Sequence, residues 1–309
     1  MRAARIESFG GPEVLRVLDV PAPAIGPGQV RVDVVGSSVN PVDIAIRSGW
    51  MNEFLPLTPP LTIGTDIAGI VTEVGEGVAD LAVGDQVYGV AGVVTGGSGG
   101  FAEQAVTGLG MLATAPAGVD LVTAATLPLA GISALEAIAD RLNVQPGSRV
   151  LIHGASGGVG LFAVALAKHL GGHVVATAHG NGVAIMKELG VDDVFDTDVT
   201  DLFSLHPFDL TLDLVGLDPM LPVMVTKPGG RAVGLRMIPD QQAAADKGVE
   251  AVMQATQITT QRLNRLRDYV EQGVVTPYVP HTFDLSDIAA AFRMKEAGGV
   301  AGKMAVKAR

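Results

Sequence analysis

The sequence predicts an α/β protein in which a β-rich N-terminal part precedes a doubly wound parallel sheet. Three observations predict this fold. The central third alternates short apolar runs with segments of helical length. A glycine-rich stretch, 153–160, joins the run 149–152 to the first of these helices. Residues 1 to about 115 instead carry short strand-like runs separated by Pro, Gly and Asp clusters, a pattern typical of a β-barrel or sandwich.

The N-terminal strands are predicted from short β-branched runs bounded by turn residues, at 30–35, 68–74 and 86–90. Glycine and serine dominate 92–100, which predicts a mobile loop. Asp120 is a candidate helix cap, and the helical pattern that follows it extends through 129–136 to about Asn143.

The central elements alternate strand and helix. Helices of this length between strands require crossover connections, and these make the sheet parallel. The predicted strands are 149–152, 173–178, 194–196, 208–213 and 230–235, and the first two helices are 161–168 and 183–189. Beyond them, we expect helices at 258–269 and 284–292 and a final strand at 303–306.

The glycine-rich stretch has the context of a dinucleotide-binding turn. A Gly-rich turn between a parallel strand and a helix lets backbone N–H groups approach a pyrophosphate, and the helix N-terminus adds a partial positive charge. Plain tight turns also collect glycine, so the strand before the turn and the helix after it support this interpretation. The candidate cofactor-binding residues of the turn are Ala155, Ser156, Gly157, Gly158 and Val159.

Ligands of doubly wound sheets bind beyond the carboxyl ends of the strands. The residues at those ends are therefore further candidate cofactor neighbours: Thr177, Gly216, Gly234 and Leu235. Each of them is also explained by an ordinary turn or packing role.

The stretch after the turn favours NADP(H) over NAD(H). An NAD site usually carries an Asp or Glu about 20 residues after the turn, where it binds the ribose 2′-hydroxyl. Residues 161–187 contain no Asp or Glu, and an acid there would repel a 2′-phosphate. Thr177, His179 and Asn181 are candidate donors to that phosphate. The stretch contains no Arg, and His179 is also explained as an exposed loop residue.

Composition excludes several function classes. The chain has 309 residues and a net charge of −11, which argues against nucleic acid or an anionic membrane as partner. It has no cysteine, so disulfides, thiolate chemistry and Cys-ligated metals are excluded. No apolar leader or long apolar run is visible, so we expect a cytoplasmic protein that does not bind membranes.

Several motifs in order resemble the quinone oxidoreductases, a zinc-independent branch of the medium-chain dehydrogenase/reductase superfamily. The matching segments are 38–43, 47–49, 63–69, 83–89, 129–134, 155–160 and 302–303. The resemblance implies a GroES-like catalytic domain (1–118), a Rossmann cofactor-binding domain (119–265) and a return to the catalytic domain (266–309). It also implies that the cofactor lies in the cleft between the domains, and that the protein is a homodimer.

The resemblance and the absence of cysteine together predict a site without metal. Zinc-dependent relatives use a Cys ligand in the first domain, and no cysteine is present here. Without a Lewis acid, alcohol oxidation is disfavoured. Hydride transfer to a quinone or an α,β-unsaturated carbonyl needs no metal, since the protein contributes binding, orientation and exclusion of water.

The resemblance also supplies candidate catalytic residues. Asn40 matches the family's catalytic cleft and is a candidate donor to the developing oxyanion; alternatively, it is a turn asparagine that bonds its own backbone. Ser133 matches a position near the nicotinamide, or packs within its helix. Lys303 is a candidate cofactor ligand, although lysines of terminal strands are usually solvated. Asp43 and Asp66 are expected to hold cleft loops.

One departure from the family is informative. Related reductases often carry tyrosines shortly after the Asn motif, where this chain has Ala45 and Met51. Trp50, followed by Phe54, is a candidate stacking platform for a flat acceptor, with core packing as the alternative. The missing tyrosine weakens the case for an enoyl reductase, which needs a positioned proton donor.

These observations lead to one principal hypothesis and two alternatives. The principal hypothesis is NADPH-dependent reduction of small-molecule quinones or enones. The first alternative is an enoyl-thioester reductase of a biosynthetic pathway. The second is a redox sensor that binds NADPH and turns over slowly.

Overall fold

The structure, a computed structural model, describes residues 1–205 and 207–309. Its strands in chain order are β1 (Arg2–Ile6), β2 (Leu15–Asp19), β3 (Gln29–Ser38), β4 (Leu61–Thr62), β5 (Asp66–Val74), β6 (Gln86–Val90), β7 (Gln104–Gly108), β8 (Leu112–Thr114), β9 (Arg149–His153), β10 (His173–Ala178), β11 (Asp193–Asp196), β12 (Phe208–Asp213), β13 (Thr226–Gly234), β14 (Glu250–Met253), β15 (His281–Asp284) and β16 (Met304–Lys307).

The α-helices in chain order are α1 (Pro41–Ser48), α2 (Leu121–Ala124), α3 (Pro128–Leu135), α4 (Gly158–His169), α5 (Gly182–Glu188), α6 (Leu221–Met224), α7 (Gln241–Lys247), α8 (Thr260–Glu271) and α9 (Ile288–Ala297). The backbone continues from α3 into a π-helical segment, Glu136–Arg141.

The chain forms two compact units. The first contains residues 1–129, 258–272 and 279–309, and the second contains 130–257 and 273–278.

The first unit is β-rich, as the sequence predicts. Its main sheet has seven strands in the order β15-β16-β3-β5-β6-β8, with β7 also paired to β3. The last strand, β16, runs antiparallel to β3 and pairs Ala305 with Ser38. On its other side, β3 pairs Ser38 with Asp66. This register brings three distant parts of the sequence to one place in the unit.

The helix α1 anchors that place. Pro41 occupies its first turn and Gly49, at φ 86°, ends it, positions that suit these two residues. The Arg47 guanidinium donates to both carboxylate oxygens of Glu296, at 3.0 and 2.7 Å, and through Nε to Gly10 O. Arg47 is buried, so this bidentate pair fixes α1 against the C-terminal helix α9.

The second unit is a doubly wound parallel sheet, which confirms the predicted fold class. Its six strands run in the order β11-β10-β9-β12-β13-β14, and all neighbours pair in parallel. Strands β10 and β11 lie on one side of β9, and β12 to β14 lie on its other side, so the order in which strands are added reverses between β9 and β12. Ligands of such sheets bind at this switch point, beyond the carboxyl ends of the strands.

Most predicted elements are present with shifted ends. The strands predicted at 173–178 and 208–213 match β10 and β12. The helix predicted at 161–168 begins earlier, at Gly158, because the glycines of the turn enter its first turn. Asn40, which the sequence places in an Asn-Pro turn, is the N-cap of α1, a helix that the sequence did not predict.

The glycine-rich segment 92–100 is held by backbone hydrogen bonds. The N–H groups of Gly97, Gly99 and Gly100 donate to the carbonyls of Gly92, Ala91 and Gly64. A Cβ at Gly99 would lie 2.2 Å from Thr62 O. Here glycine permits a close approach of two backbones.

No helix among residues 1–205 and 207–309 combines the length and apolar character needed to cross a bilayer.

Gly160 is predicted to be a packing glycine whose loss destabilises the second unit. A Cβ there would lie 2.4 Å from Ala155 O, so α4 would have to move away from the turn. We expect Gly160→Ala to lower the free energy of unfolding by about 2 kcal/mol, measured by urea denaturation. Gly157→Ala is the matched control and should lose less than about 1 kcal/mol. Equal stabilities of the two variants would contradict this assignment.

Candidate functional site

The turn between β9 and α4 ends in an N-cap residue that has no side chain to accept hydrogen bonds from the first N–H groups of the helix. That residue is Gly157, and the 12-residue helix follows it directly. Within the turn, Ala155 N–H donates to Thr177 O at 2.9 Å and Gly157 N–H donates to Gly154 O at 3.2 Å. The first N–H groups of a helix lack intrahelical partners and carry partial positive charge. Those of Gly158 and Val159 therefore suit an anion.

Three glycines of the turn have different physical roles. Gly154 has φ +83°, a conformation that L side chains rarely adopt. Gly160 is packed against Ala155. A Cβ at Gly157 would meet only Gly154 O, at 3.4 Å, and no other atom within 4 Å. The space in front of Gly157 is therefore open, and a phosphate can approach the helix end there.

A cavity of about 670 Å³ lies beside this turn, within the size range of small-molecule and cofactor sites. The carboxyl ends of β9, β10 and β12 contribute to its lining. Four residues predicted from the sequence line it: Ser156, Gly157, Thr177 and His179. The uncapped helix, the open space at Gly157 and this cavity together fit a dinucleotide.

The other predicted cofactor residues surround the same strand ends. Asn181 is exposed and precedes α5. Gly216 has φ +66° and donates its N–H to Asp213 Oδ1 at 3.0 Å. Gly234 ends β13, and the N–H of Leu235 donates to Asp213 O at 3.0 Å. Their predicted contacts with a cofactor stay predictions.

His153 organises the turn, and sequence reasoning missed it. Its Nδ1 lies 2.6 Å from Thr177 Oγ1, and Gly154 N–H donates to the same oxygen at 3.1 Å. Burial lowers the pKa of His153, and Asp213 partly opposes this shift. The Thr177 hydroxyl is buried and is used by these two partners. Thr177 therefore supports the turn, and its predicted contact with a 2′-phosphate stays a prediction.

Arg236 is a second residue that sequence reasoning missed. It is exposed, follows β13 and lines the cavity. A Cβ on Gly216 would lie 2.8 Å from Arg236 Cβ, so the two residues are close neighbours. Its place directly after the predicted strand 230–235 could have identified it from the sequence.

A buried polar cluster occupies the first unit, where β16, β3 and β5 meet. The Asn40 amide donates through Nδ2 to Asp66 Oδ2 at 2.8 Å and to Ser38 O at 3.2 Å. Its Oδ1 accepts from Lys303 Nζ at 2.6 Å. Lys303 Nζ also lies 3.6 Å from Asp66 Oδ2. Asn40 thus connects a buried ammonium to a buried carboxylate.

Asp43 adds a second carboxylate to this cluster. Its Oδ2 accepts from Asn40 N–H at 2.8 Å, and its Oδ1 accepts from Thr65 Oγ1 at 2.7 Å. Burial raises the pKa of Asp43 to about 7, against the effect of its two hydrogen bonds. Burial also lowers the pKa of Lys303, and the two carboxylates partly restore it.

This geometry revises two expectations. Asn40 is hydrogen-bonded through its amide nitrogen and its oxygen, so its role as a donor to a substrate stays a prediction that requires one of these bonds to be exchanged. Lys303 is only 5% exposed, and the expectation that such a lysine is usually solvated is wrong here. Asp43 and Asp66 connect α1, β5 and β16.

Trp50 and Phe54 form an exposed aromatic pair in the first unit. Trp50 is 56% exposed and Phe54 is 68% exposed, so core packing does not explain Trp50. Their ring centroids are 5.1 Å apart, with the planes tilted by 59°. One open ring face is enough for stacking a flat molecule.

Ser133 lies on α3 and is buried in the second unit. Its Oγ is 2.8 Å from Thr256 Oγ1, and its carbonyl accepts from Gln254 Nε2 at 3.0 Å. Both partners follow β14, so Ser133 lies at the carboxyl end of the sheet.

Within the described part of the chain, no group of three or more His, Asp or Glu side chains is arranged to hold a metal ion.

Two family profiles match the chain. "Alcohol dehydrogenase GroES-like domain" matches residues 26–117, and "Zinc-binding dehydrogenase" matches residues 189–306. The first match confirms the predicted GroES-like character of the N-terminal part. The name of the second mentions zinc, although this chain has no cysteine.

Known proteins extend these matches. The Arabidopsis thaliana "NADPH-dependent alkenal/one oxidoreductase, chloroplastic" is 32% identical and the match covers 99% of this chain and 79% of the relative. The Arabidopsis "Chloroplast envelope quinone oxidoreductase homolog" is 37% identical over 202 residues, or 63% of this chain. That match spans only 61% of the relative's own length.

A solved structure agrees with both. The quinone oxidoreductase from Coxiella burnetii superposes with a TM-score of 0.92 and 30% identity, and the match covers 100% of this chain and 99% of that one. The chain therefore belongs to the quinone oxidoreductase family of the medium-chain dehydrogenase/reductase superfamily, which confirms the resemblance seen in its motifs.

Gly157→Ala is predicted to abolish dinucleotide binding while leaving the fold intact. The new Cβ has room in the free chain, with its nearest contact at 3.4 Å, but it occupies the approach to the helix end. We expect at least a hundredfold weaker binding of NADPH, measured by fluorescence titration. Circular dichroism checks the fold. Undiminished affinity would place the pyrophosphate elsewhere.

Asp43 is predicted to make stability fall as the pH rises. Its pKa is about 7 in the folded chain against an ordinary 3.8, so the folded chain holds this proton more tightly than the unfolded chain. The stability it contributes is present below about pH 4 and lost as the pH approaches 7. Asp43→Asn should flatten this decline, measured by urea denaturation between pH 4 and 7. Asp80→Asn, an exposed control in the same unit, should keep the wild-type slope, and a wild-type slope in Asp43→Asn would contradict the assignment.

Proposed function

We propose that the protein reduces quinones and α,β-unsaturated carbonyls with NADPH, without a catalytic metal. The observation that carries the proposal is the open, uncapped helix end at Gly157 beside a cavity of about 670 Å³, in a chain of this family. The names of the relatives, a quinone oxidoreductase and an NADPH-dependent alkenal/one oxidoreductase, support the choice of acceptors.

In this proposal the backbone of the turn holds the cofactor's pyrophosphate. The N–H groups of Gly158 and Val159 bind it, and His153 and Thr177 keep the turn in place. His179 and Asn181 are exposed after β10, where the adenosine ribose of a dinucleotide lies in a doubly wound sheet. The absence of acidic residues from 161–187 supports a 2′-phosphate and hence NADPH.

The reaction needs little chemistry from the side chains. When bound, the reduced nicotinamide supplies a hydride to an electron-poor carbon of the acceptor. The protein binds and orients the acceptor, and the exposed faces of Trp50 and Phe54 suit a flat one. The buried cluster of Asn40, Asp43 and Lys303 keeps α1, which precedes this pair, in place.

The segments 1–118 and 266–309 contribute the acceptor side, and 119–265 contributes the cofactor side. We propose a homodimer located in the cytoplasm, whose partners are small molecules rather than nucleic acid or membrane.

A panel of acceptors tests the proposal directly. Purified protein with NADPH should turn over 1,4-benzoquinone or an alkenal, followed by loss of NADPH absorbance. The rate should be unaffected by a metal chelator and much lower with NADH. Turnover of an enoyl thioester far above that of quinones would favour an enoyl-thioester reductase. Tight NADPH binding with no turnover of any acceptor would contradict the proposal and favour a redox sensor.

A further inference from the structure

Gln254 is a buried amide at the carboxyl end of the parallel sheet. It directly follows β14, and its backbone N–H donates to Gly234 O at 2.9 Å. The residue is only 3% exposed. Glutamine is rarely buried unless its polar atoms are paired, so the partners of this amide indicate what it does.

One half of the amide is paired within the protein. Nε2 donates to Ser133 O at 3.0 Å and lies 3.3 Å from Thr256 Oγ1. Because a carbonyl accepts but never donates, the nitrogen must face Ser133. The orientation of the amide is therefore settled, and Oε1 points away from this partner.

The other half has no partner. Within residues 1–205 and 207–309, three buried side-chain nitrogen or oxygen atoms lack a hydrogen bond, and Gln254 Oε1 is the one acceptor among them. The other two, Arg5 Nε and Arg31 Nε, belong to the first unit. An unpaired buried acceptor costs free energy that an apolar side chain of similar volume would avoid. A ligand with an N–H donor would offset this cost.

We infer that Gln254 recognises the carboxamide of the nicotinamide ring, accepting one of its N–H groups at Oε1 while Nε2 stays bonded to Ser133 O. This inference rests on the proposed function. Ligands of doubly wound sheets lie beyond the carboxyl ends of the strands, where Gln254 and Ser133 are found. The carboxamide is a neutral N–H donor, and it matches a neutral amide acceptor that carries no charge to desolvate.

The segment after β14 permits this contact. Residues 254–259 form no helix or strand, and Ala255 and Gln257 are exposed. Oε1 itself is enclosed in the free chain, so the inferred contact requires this segment to shift when the ring enters.

The test compares two coenzymes that differ only in the group concerned. NADPH carries the carboxamide, and reduced 3-acetylpyridine adenine dinucleotide phosphate carries an acetyl group without N–H. Wild type should bind NADPH about tenfold more tightly, the usual size of one buried hydrogen bond. Gln254→Met should bind both coenzymes within twofold of each other. Dissociation constants come from calorimetric titration and need no turnover.

Two controls distinguish a failure of the inference about Gln254 from a failure of the proposed function. Adenosine 2′,5′-bisphosphate lacks the nicotinamide and should bind wild type and Gln254→Met equally, which shows that the variant is folded. Gln242→Met, an exposed glutamine in the same unit, should keep the tenfold preference. A tenfold preference retained in Gln254→Met, or no preference in wild type, would overturn the inference and leave the proposed function standing. Failure of wild type to bind either coenzyme would instead overturn the proposed function.

Discussion

The helix end at Gly157 can hold a pyrophosphate only if its N–H groups stay uncapped and no side chain stands before them. The second unit is built around this constraint. Gly154 makes the tight turn with a positive φ, Gly157 leaves the approach open, and Gly160 lets α4 pack against the turn. Thr177, on the neighbouring strand β10, then holds the turn through contacts with His153 Nδ1 and Gly154 N–H. Strand order places this arrangement at the switch point of the sheet.

The first unit buries two carboxylates, those of Asp43 and Asp66. Lys303 supplies the compensating positive charge. Asn40 links it to Asp66, because its amide oxygen accepts from Lys303 and its amide nitrogen donates to Asp66. Burial raises the pKa of Asp43, the neighbouring Asp66 carboxylate adds to this shift, and the Lys303 ammonium partly opposes it. The cluster therefore ties the C-terminal strand to α1, next to the exposed Trp50 and Phe54. Its polar atoms are used for structure before any substrate arrives.

The sequence predicted what depends on local pattern. Parallel strands buried on both faces appear as largely apolar runs, so β9 and β10 were recognisable, and so was the glycine turn between β9 and α4. The helix α1 was missed because an Asn-Pro pair is also typical of a turn. The glycine and serine content of 92–100 predicted a mobile loop, because glycines that permit close backbone contacts have the same local pattern as glycines of a flexible segment.

Long-range pairings have no local pattern, and the site features that the sequence missed are of this kind. Lys303 meets Asn40 across 263 residues of sequence, and Gln254 meets Ser133 across 121. The unpaired oxygen of Gln254 follows from the contact between Nε2 and the Ser133 carbonyl, which no local sequence pattern indicates. The central claim is that the backbone at the start of α4 binds the pyrophosphate of NADPH. A crystal structure of the chain grown with NADPH tests it most directly. The account predicts phosphate oxygens within hydrogen-bonding distance of the Gly158 and Val159 N–H groups; a pyrophosphate bound elsewhere, with that helix end empty, would contradict it.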